Sequence, residues 1–126
     1  MAKAPVFQPP DLITNGCLAK AQSDNGWDAA QADEARIWYE HFLELRWEDP
    51  APLVVMDKNA DLLWHTHFKD FQTDYKSYCN AVIGTVLTHT TTTPTHTPTA
   101  GQMSAAELRY KRHNWWPIPY SSTSCW

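Results

Sequence analysis

Glycine is scarce in this chain, with four in 126 residues. No GxGxxG or GxxxxGK[ST] phosphate loop is present, and neither is a GxSxG elbow or an HExxH zinc helix. Cysteine is limited to Cys17, Cys79 and Cys125. Three scattered thiols cannot make the disulfide framework of a small secreted protein, and without a CxxC pair they match no zinc finger. Basic charge is also short: ten Lys and Arg against fourteen Asp and Glu leave a net charge of −4. An acidic chain is not built for electrostatic capture of nucleic acid. No apolar run approaches the roughly 20 residues of a membrane span. The first ten residues hold one Lys, three Pro and no long apolar stretch, unlike a signal peptide. The expectation is a cytoplasmic domain without nucleic-acid or membrane partners.

What the chain has is aromatic mass. Hydrophobic residues make up 43% and aromatics 13%, with seven Trp. One domain is expected from this length. Residues 1–26 read as an N-terminal arm and 27–126 as a helical domain. In the arm, Pro5, Pro9 and Pro10 resist helix at its start, and Asn15-Gly16 argues for a break after a short helical turn at most.

The spacing predicts a first helix over residues 28–47. Asp28 is its N-cap, Gln31 completes a capping box, and Ala35, Trp38, Phe42 and Leu45 share one apolar stripe. Pro50 and Pro52 end the run. Leu53 to Met56 form an apolar bridge, and Asp57 caps a second helix over 58–69. A turn over 70–74 precedes a third helix over 73–83, with Gly84 as a left-handed C-terminal cap. Residues 88–99 hold eight Thr, two His and two Pro, which reads as an extended surface loop. Ser104-Ala105-Ala106-Glu107 is a capping box for a last helix to about residue 113. Residues 114–126, with Trp115, Trp116 and Trp126, are too apolar to float free and are expected to lie across the helices as a strap. The fold class is therefore mostly α, a small bundle of three to four helices with irregular terminal segments.

The densest chemistry is Asp61-Leu62-Leu63-Trp64-His65-Thr66-His67. On a continuous helix His65 and His67 project about 200° apart, so they cannot share an ion. Asp61 and His65, at i and i+4, share a face, and a carboxylate there orients an imidazole. Cys79, His89 and Cys125 extend the set. His and Cys are the ligands that zinc or copper prefers. The bland readings are a hydrogen-bonded structural histidine beside Trp64 and, for Cys79, a small buried hydrophobe. Cys17 looks incidental, His41 structural, and His96 and His113 exposed.

The D-x-x-W-H-x-H run, followed by Tyr75, Cys79, Gly84 and His89, resembles the glycine-rich domain-containing protein-like family, also known as DUF1399. Trp38 to Leu45 is similar to that family's aromatic helix ahead of the motif, and Trp116-Pro117 to a Trp-Pro near the end of its short stand-alone bacterial members. The likeness covers roughly residues 26–90. Phe68 to Phe71 and the Thr/Pro tract after His89 depart from the family pattern. The resemblance implies no established activity. It does group Asp61, Trp64, His65, His67, Tyr75, Cys79 and His89 into one constellation.

Three readings stand side by side. The first is a metal-binding domain with zinc or copper as cofactor, held by His65, Cys79 and His89, with His67 and Cys125 in reserve and Asp61, Trp64 and Tyr75 behind them. The second is a non-catalytic interaction module that meets a protein partner or a second copy through its aromatic surface, the WHxH motif at 64–67 being structural. The third is a metal-dependent enzyme using the same site.

Overall fold

Asp28 opens the longest helix as its position predicts. Its carboxylate accepts the Gln31 amide at 2.8 Å, and the Gln31 side chain accepts the Asp28 amide at 3.0 Å. Together they satisfy two of the donors a helix start leaves bare. In the computed structural model, which describes residues 3–51, 53–88 and 98–119 with the backbone alone of 121–123, this helix is the second of five.

The first, α1 (Cys17–Asn25), lies inside the segment expected to be a plain arm. Asn15-Gly16 starts a helix there instead of breaking one. Gly16 takes a left-handed φ of 86°, and the Asn15 side chain accepts the Cys17 amide at 2.9 Å. A glycine tolerates that backbone and an asparagine supplies the missing acceptor. Cys17 and Ala21, one turn apart, bury against the core.

Helix α2 (Ala29–Glu48) buries Ala32, Ala35, Tyr39, Phe42, Leu43 and Leu45. The following apolar bridge forms a short strand, β1 (Val55–Asp57). Asp57 then caps α3 (Lys58–Asp70) by accepting the Ala60 amide. The expected turn over 70–74 shrinks to Phe71 alone, and α4 (Gln72–Tyr78) begins at once. Residues Cys79–Ile83 continue it as a wider π turn, closed by Gly84 at a φ of 94°, the left-handed cap that was expected.

Helix α5 (Ala100–Lys111) starts one turn earlier than Ser104. Thr99 and Gln102 make the capping box, at 3.1 and 3.0 Å, and Glu107 pairs with Lys111 instead. Both positions fit the same S/T-x-x-E/Q pattern, and nothing between them stops a helix begun at the first. Last comes β2 (Ser121–Thr123), antiparallel to β1 with Val55 opposite Thr123. Within the tail, the backbone of residues 121–123 thus runs beside β1.

The helices pack as one body. α3 lies against α1, α2 and α4, while α5 sits over β1. Tyrosines fill the interior more than tryptophans do. Tyr39, Tyr75 and Tyr110 are fully buried, whereas among the described tryptophans only Trp64 is; Trp38, Trp47, Trp115 and Trp116 are part-buried around the rim. Among the described residues no helix is long and apolar enough to cross a membrane.

Candidate functional site

The WHxH segment lies on one unbroken helix, so its residues divide by face. Trp64 and His67, one turn apart, are fully buried; Asp61 is fully buried one turn before Trp64, and His65 is half-buried. The Trp64 indole N–H donates to the Tyr75 hydroxyl at 2.9 Å, and that hydroxyl donates to the Leu87 carbonyl at 2.5 Å. The Trp64 ring also rests on Phe42 of α2, with 4.7 Å between ring centres. One side chain thus ties α3 to α2, to α4 and to the chain beyond Gly84.

His67 makes the second tie. Its Nε2 lies 2.7 Å from an Asp74 carboxylate oxygen and its Nδ1 lies 2.9 Å from the Tyr39 hydroxyl. A carboxylate only accepts, so Nε2 carries the proton, Nδ1 is the acceptor, and Tyr39 donates. Tyr39 and Tyr75 meet the imidazole edge-on. Burial lowers the His67 pKa below 6.5 against the opposing pull of Asp74. The ring is therefore neutral, with both nitrogens engaged inside the protein.

Cys79 completes the cluster. Burial pushes its thiol up, partly offset by the Leu87 amide, the Tyr75 hydroxyl and the Arg46 charge. A buried, protonated thiol is a poor nucleophile. Cys17, held up to about 12 by burial and then by the charges of Asp74 and Asp70, is a poor one too. The structure thus brings together Trp64, His67, Tyr75 and Cys79 of the predicted set. His65, His67 and Cys79 do not form a metal-ligating trio among the described residues. His89 and Cys125, as well as His96, lie outside the described residues.

A different trio does converge. One ligand atom each from Glu44, Glu48 and His113 all lie within 4.8 Å of one another. Glu44 and Glu48 are one turn apart at the end of α2, and His113 sits in the turn that closes α5. His113 Nε2 already meets a Glu48 oxygen at 2.5 Å. Trp115 fixes the imidazole: its indole stacks on His113 at 4.2 Å and 15°, and on His41 at 3.7 Å and 12°. Trp38 then meets His41 edge-on at 5.1 Å. Burial, and then the His113 charge, push His41 down to about 4.

His113 is therefore not the exposed histidine that was expected, while His41 lies packed between Trp38 and Trp115. The spacing of Glu44 and Glu48 on one helix face was visible in the sequence. The arrival of His113 beside them depends on how α5 docks, which no local pattern encodes.

Trp115 and Trp116 pack against the core, and the described large apolar residues that stay exposed, Val6, Ile13, Ile37 and Leu108, are spread over four segments. The chain matches no protein-family model, no curated protein and no solved structure.

Proposed function

We propose that the chain is a small metal-binding helical domain whose divalent ion, zinc or Cu(II), is held by Glu44, Glu48 and His113. The observation that carries this reading is the convergence of those three ligand atoms within 4.8 Å. Two carboxylate oxygens and one imidazole nitrogen form a three-ligand set that suits Zn²⁺ with a further position for water. The set has no thiolate or thioether to favour Cu(I). The ion takes the place of the hydrogen bond between Glu48 and His113, and because ligands must be free of protons to bind, uptake weakens in acid. Stacking on Trp115 orients the imidazole before the ion arrives.

In this reading the WHxH motif is the internal tie, favoured by the full engagement of both His67 nitrogens. The kinship with the DUF1399 family belongs to the same proposal. It is supported by Trp64, His67, Tyr75 and Cys79 sharing one interior cluster. A cytoplasmic setting fits the free, buried thiols of Cys17 and Cys79.

The test is zinc titration of untagged protein by calorimetry, with elemental analysis of the purified chain. Glu48→Gln and His113→Ala are expected to abolish one-to-one uptake, and His65→Ala and Cys79→Ala to leave it intact. Wild-type protein that takes up no zinc overturns the proposal. Loss confined to the His65 and Cys79 variants moves the site to the WHxH segment.

A further inference from the structure

A cleft of about 300 Å³ opens between the N-terminal arm, the end of α2 and the chain after the π turn. We propose that it binds a small organic monocarboxylate with an aromatic or branched apolar body. Among the described residues its walls carry two charged side chains, Lys3 and Arg46, both cationic, and no carboxylate. Trp47, Ile83 and Leu87 supply apolar surface, and Thr85 adds a hydroxyl. Apolar walls with a few convergent polar groups are the usual make-up of a small-molecule site, and the volume falls at the lower end of the usual range of about 300–1,000 Å³.

The walls are tied in place. The Trp47 indole N–H donates to the Ala4 carbonyl at 2.8 Å, and the Ala4 amide donates to the Val82 carbonyl at 2.9 Å. The arm is thereby clipped both to α2 and to the π turn. Lys3 Nζ donates to the Trp47 carbonyl at 2.8 Å and lies 4.7 Å from the centre of the Trp47 ring, which fixes its charge at the rim.

The negative end of α2 is a natural objection to an anion here. It is largely answered by side chains already present: Arg109 donates to the carbonyls of Leu45 and Asp49, and Lys3 to that of Trp47. Arg46 has contacts within the protein as well. A guanidinium carries five donors, however, and pairs readily with a carboxylate alongside other partners. Burial, and then the charge of Arg109, disfavour the Arg46 cation, and the charge of an anion beside it favours the cation in return.

The test uses 3-phenylpropionate, its neutral amide and inorganic phosphate, each titrated into the full chain while the Trp47 indole N–H is followed by NMR. The carboxylate is expected to saturate the Trp47 shift. The amide should bind roughly tenfold more weakly, as loss of a charged hydrogen bond implies, and phosphate more weakly than the carboxylate. Arg46→Gln and Lys3→Gln should each weaken the carboxylate, and Thr85→Trp should block it. Lys3 sits on the exposed arm, so its variant reports on binding even where Arg46→Gln fails to fold. Equal affinity for acid and amide, phosphate binding as tight as the carboxylate, or no saturation at millimolar 3-phenylpropionate overturns the proposal.

Discussion

Tyr39→Phe removes a single oxygen from the interior, and the structure says what that oxygen does. The Tyr39 ring is fully buried, and its hydroxyl donates to His67 Nδ1 at 2.9 Å. Phenylalanine keeps the ring and its edge-on contact, so little cavity forms. The loss is the hydrogen bond together with the cost of a buried ring nitrogen left without a donor, about 1–3 kcal/mol. Asp74 provides the contrast. Its side chain is 48% exposed, so water can replace it at Nε2, and Asp74→Ala is expected to cost less than Tyr39→Phe. The measurement is urea unfolding followed by circular dichroism at pH 7.5. A loss of about 2 kcal/mol lowers the midpoint by about 1 M at an ordinary m of ~2 kcal/mol/M, with the slope unchanged. His67→Leu combined with Tyr39→Phe should cost less than the two single changes added, because neither partner is then stranded. A Tyr39→Phe midpoint equal to wild type refutes the reasoning, and so does additivity.

Three further outcomes are expected. Stability should fall as pH drops below about 6.5, because the unfolded chain then binds protons that His67, lowered by burial, and His41, pushed down to about 4, refuse in the folded state. The slope is at most about 1.4 kcal/mol per pH unit for each group, and that of His41 levels off near pH 4; urea midpoints constant between pH 7.5 and 5 contradict it. Arg109→Met strips donors from the carbonyls of Leu45, Asp49 and Ala51 and should cost about 2–4 kcal/mol in the same assay, with Arg109→Lys recovering only part. Asp28→Ala removes half of the α2 capping box and should cost about 1 kcal/mol, against which an unchanged midpoint would count.

Local signals in the sequence predicted local structure well. The caps at Asp28 and Asp57 and the left-handed Gly84 depend on residues within a few positions of one another, and they stand where the pattern put them; of the α2 stripe Ala35, Phe42 and Leu45 are buried and Trp38 lies at the rim. The misreadings share a cause. Asn15-Gly16 has the chemistry of a helix start as well as that of a break, and Thr99 competes with Ser104 through the same four-residue pattern. At Thr99 the earlier of two equivalent caps starts the helix, and after Gly16 the new helix buries Cys17 and Ala21 in the core. The split of His65 from His67 followed from helix geometry alone. The partners of His67 did not: Tyr39 lies 28 positions upstream, a distance that only folding closes. The Glu44, Glu48 and His113 cluster was beyond reach for the same reason.

The carboxylate of Asp74 that receives His67 also receives the Asn15 side-chain amide, at 3.0 Å, and the Asn15 side-chain oxygen accepts the Cys17 amide at the start of α1. The motif that reads as seven consecutive letters is therefore completed by residues far upstream of it. A graft of residues 61–84 onto a foreign helix pair would carry the letters without Tyr39 or Asn15. It would leave a buried imidazole with one nitrogen stranded and its carboxylate open to water. Portability here begins no later than Asp11, whose carboxylate accepts the Thr14 amide and sets the turn that delivers Asn15.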